Sequence, residues 1–457
     1  MTATVQQPAN IKRLIVGLGL SGLATARYCQ RMGWPFDLCD SRARLGHLEQ
    51  VKAEFPHTKV TLGALDGEQL SQYQQLIVSP GIALAEPAIQ QALAAGVEVV
   101  GDVELFARHN DSPVIAITGS NGKSTVTTLV RDILVDAGLN AVMAGNIGVP
   151  VLDLLAQPDS QRPDVVVLEL SSFQLETTDT LKPRAATILN VSEDHMDRYE
   201  GMADYTLAKQ RIFHGAEAII VNRDDAATLP VDGLVNLTGF TLKQPQEDDF
   251  GVLAGELDGQ AGEWIVRAGV KLVHSSQLKI RGRHNLANVM AALALVETVG
   301  VSPSQALVTL QQFGGLPHRC EWVADVAGVT YINDSKGTNV GSTLAAIEGF
   351  AAMDGEIWLL AGGDGKGQDF SPLADACLGR VQQVCCYGKD ALLLQDALQS
   401  SCLTAVFETL DEAFDCARQS ARSGDLVLLS PACASLDQFA NYNVRGEHFR
   451  QLARGLS

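Results

Sequence analysis

Three short apolar stretches of this chain each run directly into a glycine-rich loop, and this repeated arrangement limits the possible fold more than any other feature. The loops read GLGLSG at Gly17–Gly22, GSNGKS at Gly119–Ser124 and GGDGKG at Gly362–Gly367. Apolar runs of strand length alternate with helical patterns along the chain, as in parallel sheets that are covered on both faces. This alternation predicts α/β architecture throughout. We interpret the three loops as the leading crossover turns of three separate α/β domains.

The chain length also favours three domains. It has 457 residues, and a domain usually spans about 100–200 residues. Breaker-rich segments near residues 108 and 316 mark the candidate boundaries. We predict an N-terminal Rossmann-like domain at 1–108, a central P-loop-type mononucleotide-binding domain at 109–316, and a C-terminal Rossmann-like domain at 317–457. The less regular segment 241–276 is expected to form a small β excursion.

Charge and cysteine content restrict the partners and the location. The net charge of −19 argues against nucleic acid as the main partner, because an acidic surface repels the phosphate backbone. The nine cysteines form no CxxC pair, which predicts reduced thiols in a cytoplasmic protein. No signal peptide is predicted, and no apolar run approaches the ~20 residues that span a bilayer. We expect a cytoplasmic monomer without membrane insertion.

The segment PVIAITGSNGKSTVTTLV carries the sharpest chemical signal. A helix that begins directly after a glycine turn offers free N–H groups and a partial positive charge to phosphate. Lys123 would supply charge to the β- and γ-phosphates, and the Ser124 hydroxyl can coordinate Mg²⁺. Ile117 stands where the full GxxxxGK[ST] pattern has glycine, so the motif is a variant; a tight turn with an incidental lysine is the alternative. The residues assigned to ATP are Gly119, Ser120, Asn121, Gly122, Lys123, Ser124 and Thr125.

Acidic and imidazole side chains follow two further apolar strands. Glu169 is the one charged residue of Val165–Leu170, and a buried carboxylate is costly unless it is paired or binds a metal. Beside a phosphate loop Mg²⁺ is the natural partner, although a helix N-terminus or a lysine would also serve. A second polar cluster follows the apolar run at 186–189 and contains Asn190, Glu193, Asp194, His195 and Asp197. His195 could hold another metal, but an isolated histidine is more often structural, since Mg²⁺ prefers oxygen.

The first glycine loop has the form of a dinucleotide fingerprint. Gly17, Gly19 and Gly22 lie between a strand and a helix, and Asp40 ends the next strand. Taken alone, this pattern predicts NAD and therefore an oxidoreductase. However, it indicates only a diphosphate at a helix N-terminus, and a nucleotide-diphosphate sugar satisfies the same physics.

Four segments, ITGSNGKST, LELSSFQLE, NVSEDHMDRY and YTLAKQRI, together resemble the central domain of the Mur ligase family. The resemblance covers nearly the whole chain and implies ATP with two divalent metal ions, Mg²⁺ or possible Mn²⁺. With Ser124, the implied metal ligands are Glu169, His195 and Lys209, the last as a carbamate. Without the resemblance Lys209 would be read as a solvated helix lysine. The implied catalytic residues are Lys123, His195, Lys209 and Lys336.

The same resemblance makes UDP-N-acetylmuramoyl-L-alanine the expected occupant of the first domain. The residues implied to contact it are Leu20, Ser21, Asp40, Ser41, Arg42, Ser79, Pro80, Gly81 and, from the central domain, Asn146.

In the third domain DSKGTN and SPACASLDQF occur as in the family branch that adds D-glutamate. Two carboxylates on that amino acid call for cations and hydroxyls at strand ends. The residues implied to contact D-glutamate are Thr338, Lys366, Ser435, Leu436 and Tyr442. The residues implied to close over ATP are Asn285, Asn288, Arg319, Asp334 and Lys336. Taken singly, either lysine would be read as a solvated surface residue.

The expected activity is therefore ATP-dependent ligation of D-glutamate to UDP-N-acetylmuramoyl-L-alanine through an acyl phosphate, in cytoplasmic peptidoglycan precursor synthesis. ATP and D-glutamate lie on different domains, so domain closure should assemble the site. Three alternatives remain at this point. An NAD-dependent oxidoreductase leaves GSNGKS unexplained, a folylpolyglutamate-type ligase conflicts with the uridine-site residues, and a non-enzymatic P-loop switch would hydrolyse ATP without an amino acid.

Overall fold

The chain folds around three sheets. The computed structural model describes residues 11–156, 158, 161–194, 196, 198–231, 237–246, 248–350 and 355–456. Within these residues the sheets have five, nine and six strands, in that order along the chain. The predicted α/β class with three domains is confirmed, whereas the boundaries at 108 and 316 stay predictions.

The first sheet is parallel and carries helices on its crossovers. Its elements are β1 Arg13–Val16, α1 Leu20–Arg31, β2 Phe36–Asp40, α2 Leu48–Glu54, β3 Val60–Leu62, α3 Gly67–Leu70, β4 Gln75–Val78, α4 Pro87–Ala94, β5 Glu98–Val100 and α5 Asp102–His109. The strand order is β3-β2-β1-β4-β5, which matches the first five strands of the Rossmann order 3-2-1-4-5-6. The order in which strands are added to the sheet reverses between β1 and β4, and ligands of such sheets bind at this point.

The central sheet combines a parallel body with an antiparallel edge. Its elements are β6 Val114–Thr118, α6 Lys123–Asp136, β7 Ala141–Gly145, α7 Val151–Leu154, β8 Val165–Glu169, α8 Ser172–Glu176, β9 Ala185–Ile188, α9 Met202–Gln210, β10 Ile219–Asn222, β11 Leu237–Phe240, β12 Phe250–Leu257, β13 Gln260–Arg267, β14 Val270–His274, α10 Arg283–Glu297 and α11 Pro303–Gln312. The order is β14-β13-β12-β11-β10-β9-β6-β8-β7. The hairpins β12–β13 and β13–β14 form the β excursion predicted for 241–276.

The third sheet begins with a hairpin. Its elements are β15 Glu321–Val326, β16 Val329–Asn333, α12 Val340–Phe350, β17 Ile357–Gly362, α13 Pro372–Cys377, β18 Val381–Tyr387, α14 Ala391–Leu398, β19 Leu403–Phe407, α15 Leu410–Ser420, β20 Leu426–Leu429 and α16 Tyr442–Arg454. The order is β15-β16-β20-β17-β18-β19, with β15 antiparallel to β16. The prediction that Gly362–Gly367 is the leading crossover turn of this domain is wrong. An antiparallel pair needs only a tight turn, so the first crossover comes after β16, at DSKGTN.

The apolar core is shared between the first two domains. One continuous cluster joins Ile15 and Phe106 of the first domain to Val151 and Leu168 of the central domain. The third domain packs separate clusters on the two faces of its own sheet. The first and central domains are therefore joined by apolar packing, and the third has a core of its own.

None of the described helices is both long and apolar enough to cross a membrane. The cysteines are free thiols, and Cys29, Cys39, Cys377, Cys385, Cys386 and Cys433 are buried.

Candidate active site

The carboxyl ends of the central strands open into a cavity that also receives the start of the third domain. It has a volume of about 670 Å³. Ligands of α/β sheets bind at this end of the strands. The sequence-predicted residues that line it are Ser120, Asn121, Gly122, Lys123, Ser124, Thr125, Asn146, Glu169, Asn285, Asn288, Arg319, Asp334, Lys336, Thr338, Lys366 and Tyr442. Residues from the predicted ATP, metal and D-glutamate sets thus meet in one place.

The phosphate loop lies between β6, which ends at Thr118, and α6, which begins at Lys123. Gly122 adopts a left-handed conformation with φ of 82°. A Cβ atom at Gly122 would lie 2.6 Å from Asn288 Oδ1, so both the backbone angle and the space require glycine. The helix N-terminus therefore stays open to a phosphate.

The lysine of this loop folds back onto its own backbone. Lys123 Nζ donates to the carbonyl oxygens of Gly119 at 2.7 Å and Ser120 at 2.9 Å. Burial lowers the pKa of Lys123, and the nearby carboxylate of Glu169 opposes that shift. A terminal phosphate would compete with the two carbonyls for this ammonium group.

Glu169 closes β8 and is 2% exposed. Its Oε1 accepts a hydrogen bond from Asn146 Nδ2 at 2.8 Å. Within the described part of the chain, Oε2 is buried and has no hydrogen-bond partner. A buried carboxylate oxygen without a partner is costly. Together with the Ser124 hydroxyl it forms an oxygen donor set of the kind that Mg²⁺ prefers, so these residues fit the expected metal.

Lys209 lies behind the phosphate loop and does not line the cavity. It is 1% exposed, its Nζ donates to Gly119 O at 3.1 Å, and it lies 4.3 Å from the centre of the Tyr205 ring. Burial, and then the charge of Lys123, lower the pKa of Lys209 well below its usual value. The neutral amine, which is the form that can react with carbon dioxide, is thereby favoured. The predicted ligand His195, like Asp197, lies outside the described residues.

The third domain brings cations to the cavity. Arg319 Nη2 donates to Ser124 Oγ at 2.7 Å, and Lys336 Nζ lies 4.2 Å from the centre of the Tyr442 ring. Burial, followed by the charges of Arg319 and Lys123, lowers the pKa of Lys336 to about 8. Burial also raises the pKa of Asp334 to about 6. A polyphosphate would relieve this concentration of positive charge.

Helix α10 supplies the two predicted asparagines and a residue that sequence reasoning missed. Asn288 Nδ2 donates to Asn285 Oδ1 at 3.1 Å, and both side chains line the cavity. His284 also lines it, and burial lowers the pKa of His284 to about 4. The imidazole is therefore neutral at physiological pH. The sequence signal that could have identified His284 is its position directly before Asn285.

The N-terminal end of α12 was also missed. Ser342 Oγ donates to Asn121 Oδ1 of the phosphate loop at 2.6 Å, and Asn339 Nδ2 donates to Asp194 Oδ2 at 3.2 Å. Asn339 Oδ1 also accepts from the backbone N–H of Ser342 at 2.8 Å, as a helix N-cap does. The N-cap pattern could have located the helix start, but not the loop that it contacts.

The residues predicted to bind D-glutamate are only partly brought together. Thr338, Lys366 and Tyr442 line the cavity. Ser435 is buried and Leu436 is 71% exposed, and both lie outside the described lining.

The residues predicted to bind the UDP part follow the carboxyl ends of β1, β2 and β4. Asp40 accepts hydrogen bonds from Leu18 N at 2.7 Å and from the Arg42 guanidinium at 2.8 Å. Burial alone would raise the pKa of Asp40, but these bonds lower it to about 2. Ser79 Oγ donates to Gly17 O at 2.8 Å. The other predicted residues at these strand ends are Leu20, Ser21, Ser41, Pro80 and Gly81.

Three family profiles match consecutive parts of the chain. They are described as Mur ligase MurD-like, N-terminal domain (residues 11–101), Mur ligase middle domain (residues 117–296) and Mur ligase, glutamate ligase domain (residues 318–433).

Curated relatives match over almost their full length. The UDP-N-acetylmuramoylalanine--D-glutamate ligase of Pseudomonas aeruginosa is 49% identical over 447 residues, which cover 97% of this chain and 98% of the relative. The protein of the same name from Hahella chejuensis is 46% identical over 444 residues, with the same coverage of 97% and 98%.

Solved structures share the fold at low sequence identity. UDP-N-acetylmuramate-alanine ligase MurC from Thermotoga maritima has a TM-score of 0.59 at 17% identity, covering 98% of this chain and 100% of its own. A pseudomurein peptide ligase type C from Methanothermus fervidus has a TM-score of 0.57, also at 17% identity and with the same coverage. The matching profiles and the full-length relatives establish that the chain belongs to the Mur ligase family.

Proposed function

We propose that this chain is an ATP-dependent amide-bond ligase that joins D-glutamate to UDP-N-acetylmuramoyl-L-alanine in peptidoglycan precursor synthesis. The observation that carries the proposal is the cavity in which the phosphate loop faces Arg319 and Lys336 of the third domain. The full-length relatives are UDP-N-acetylmuramoylalanine--D-glutamate ligases, which supports the choice of substrates.

ATP would lie with its phosphates on the turn between β6 and α6. Backbone N–H groups of that turn and Lys123 would hold the β- and γ-phosphates. Arg319 and Lys336 would approach from the third domain, and Asn285 and Asn288 from α10. Phosphoryl transfer depends mainly on positioning and charge neutralisation, and these residues supply both.

Ser124 and Glu169 would hold one divalent ion. His195 and carbamylated Lys209 would hold a second. Such ions would neutralise the charge that develops on the transferred phosphoryl group. The orphaned oxygen of Glu169 supports the first of these sites.

The reaction would proceed in two steps. A carboxylate oxygen of the muramoyl-L-alanine group forms a bond to the γ-phosphorus of ATP, the bond to the bridging oxygen breaks, and ADP leaves. The amine of D-glutamate then attacks the acyl carbon of the acyl phosphate, loses a proton, and displaces inorganic phosphate. Thr338, Lys366, Ser435, Leu436 and Tyr442 would hold D-glutamate for the second step. The monomeric state and the cytoplasmic location stay predictions.

The test is phosphate release from ATP with each substrate omitted in turn. We expect release to require both UDP-N-acetylmuramoyl-L-alanine and D-glutamate, with L-glutamate inactive and the amide product found by mass spectrometry. Lys123→Ala should keep the fold but lose turnover. Release without an amino acid would favour the P-loop switch, and a change in nicotinamide absorbance would favour the oxidoreductase.

A further inference from the structure

The segment that follows α8 holds the first domain against the central domain. The Glu104 carboxylate of α5 accepts hydrogen bonds from Asp179 N at 2.7 Å, Thr180 N at 2.9 Å and Thr180 Oγ1 at 2.9 Å. A Cβ atom at Gly101 would lie 2.2 Å from Thr177 Oγ1, so the Thr177 side chain packs closely against the Gly101 backbone. This junction is fixed by polar contacts as well as by the shared apolar core.

Arg198 of the central domain reaches across the same junction to the loop after β4. Its Nη1 donates to Pro80 O at 2.8 Å, and its Nη2 donates to Ile82 O at 3.3 Å. Nη2 also donates to Glu176 Oε2 at 2.7 Å, at the end of α8. The guanidinium lies 3.9 Å from the centre of the Phe173 ring. One planar group thus joins two backbone carbonyls of the first domain to a carboxylate of the central domain.

The pair between Arg198 and Glu176 is sheltered from solvent. The two side chains are 12% and 16% exposed. Tyr199 OH donates to Glu176 Oε1 at 2.5 Å, so the carboxylate is held on both oxygens. A charge-assisted contact that is held in this way has a defined geometry, unlike a surface ion pair.

The loop that Arg198 holds is connected to the glycine turn of the first domain. Ile82 N donates to Ser79 O at 2.9 Å, and Ser79 Oγ donates to Gly17 O at 2.8 Å. A Cβ atom at Gly22 would lie only 1.8 Å from Gly17 O, so the start of α1 is packed directly on this turn. Any displacement of the loop at 79–82 would therefore move the turn predicted to bind the diphosphate.

The other end of the network reaches the proposed reaction centre. Glu176 ends α8, which follows the strand that carries Glu169. Arg198 follows the 190–197 segment, which carries the predicted ligand His195. The guanidinium is therefore tied, through α8, to the strand that carries Glu169.

We propose that Arg198 is a positioning residue. It holds the 79–82 loop of the first domain in a fixed position relative to the ATP site, so that the acyl end of the UDP substrate reaches the γ-phosphate. The inference rests on the proposed function. The planar fork is essential, because a lysine can carry the charge but cannot bond two carbonyls and a carboxylate in one plane.

Arg198→Lys tests this role through the separate kinetics of the two substrates. We expect kcat/KM for UDP-N-acetylmuramoyl-L-alanine to fall about 10- to 100-fold, the cost of misplacing a reacting group by roughly 1 Å. The KM for ATP should stay within about twofold of its original value, because the phosphate loop is untouched. Equal losses toward both substrates, or no loss, would overturn the proposal.

Arg211→Lys is the matched control. Arg211 holds the same α8 segment, through Leu175 O at 2.7 Å and Thr178 O at 2.9 Å, and its described hydrogen bonds stay within the central domain. Any loss in this variant should affect both substrates alike. A selective loss toward the UDP substrate in Arg211→Lys would contradict a role specific to Arg198.

Hydrogen exchange separates a failure of this inference from a failure of the proposed function. In Arg198→Lys without substrates, we expect faster exchange of the Ile82 amide and unchanged exchange of the Ser120 amide, which is bonded to Asn190 O. If the unaltered protein does not ligate, the proposed function fails, and this comparison still decides whether Arg198 orders the loop. Unchanged exchange at Ile82 would reject the inference.

Discussion

Cationic residues outnumber acidic residues in the lining of the nucleotide cavity. Within the described part of the chain, four cationic residues line it with three acids: Lys123, Arg319, Lys336 and Lys366 against Glu169, Asp194 and Asp334. The pKa values of Lys123 and Lys336 are lowered, first by burial and then, for Lys336, by the other cations. Such a site is strained electrostatically until a polyanion enters, and it will bind ATP more strongly than a neutral ligand of equal size.

The lowered pKa of Lys336 predicts an alkaline limit to ATP use. At pH values below about 8 the ammonium form dominates and can pair with phosphate; above that value the proton is lost and the pairing weakens. We expect kcat/KM for ATP, which reports the free enzyme, to fall as pH rises through about 8. In Lys336→Arg this limb should move to higher pH, because guanidinium stays charged. A limb that does not move assigns the titration to another group.

Carbamylation of Lys209 is a second prediction at this scale. The burial that favours the neutral amine also favours its reaction with carbon dioxide. Under bicarbonate the intact protein should gain the mass of one carbamate, and small carboxylic acids should partly restore the activity of Lys209→Ala. Lys279, on the loop before α10, is the comparison: Lys279→Ala should need no such rescue. Failure of rescue at every acid concentration would count against the carbamate.

Helix α12 is the element through which the third domain meets the phosphate loop. Its N-terminal end contacts Asn121 through Ser342 and Asp194 through Asn339. A Cβ atom at Gly341 would lie 2.5 Å from Ser192 Oγ, so the helix approaches the central domain closely. A closure of the third domain would therefore reach the phosphate loop through this helix end as well as through Arg319.

Removal of one hydroxyl tests that transmission. Ser342→Ala loses the hydroxyl contacts to Asn121 and Asn339 but keeps the backbone N–H that donates to the Asn339 cap. A net contribution of about 0.5–1.5 kcal/mol per hydrogen bond predicts a rise in the KM for ATP of about two- to tenfold. Ser302→Ala is the control, because its hydroxyl serves the N-terminus of α11 through Gln305. Equal increases in the KM for ATP in the two variants would show that the bond from Ser342 to Asn121 has no specific effect on ATP binding.

The elements could be predicted from the sequence wherever their determinants are local. The turn at Gly119–Ser124 is set by an apolar strand, two glycines and the helix that follows, all within one stretch of chain. The hairpin β15–β16 was missed because its turn, at Ala327 and Gly328, lacks the Asn-Gly or Asp-Gly signal. The contacts of Ser342 and Arg198 join residues 221 and 118 positions apart, so no local pattern could reveal them.

At the scale of the whole molecule, the first two domains form one packed unit and the third meets them through polar groups. The shared cluster around Phe106 and Leu168 crosses the first junction. Across the second, Arg319 and Ser342 bond to residues of the phosphate loop. Relative motion is therefore expected at the second junction, where polar contacts can exchange with ligand or water.

Glu104 joins the first two domains through buried hydrogen bonds. Hydrogen bonds from Asp179, Thr180 and Arg108 lower its pKa against the opposing effect of burial. Its stabilising effect is thus complete above its ordinary pKa and is lost as pH falls through the lowered folded value. We expect Glu104→Gln to destabilise this unit by about 2–3 kcal/mol at neutral pH, by calorimetry, with the transition of the third domain unchanged.

Glu98→Gln provides the comparison, because Glu98 pairs with the same arginine from a more exposed position. A surface pair of this kind contributes about 0–1 kcal/mol. If both variants lowered the transition equally, the buried contacts to Asp179 and Thr180 would not be what joins the domains.

The hydroxyl of Ser124 can be shared by two positive groups only at a high cost. Arg319 Nη2 donates to Ser124 Oγ at 2.7 Å, and the same oxygen is proposed to bind a divalent ion. A unit charge and a divalent ion about 4 Å apart repel by about 8 kcal/mol at an effective dielectric constant of 20. We therefore expect the Arg319 guanidinium to move from Ser124 to the phosphates when metal-bound ATP binds. One oxygen atom would then couple occupation of the metal site to the position of the third domain.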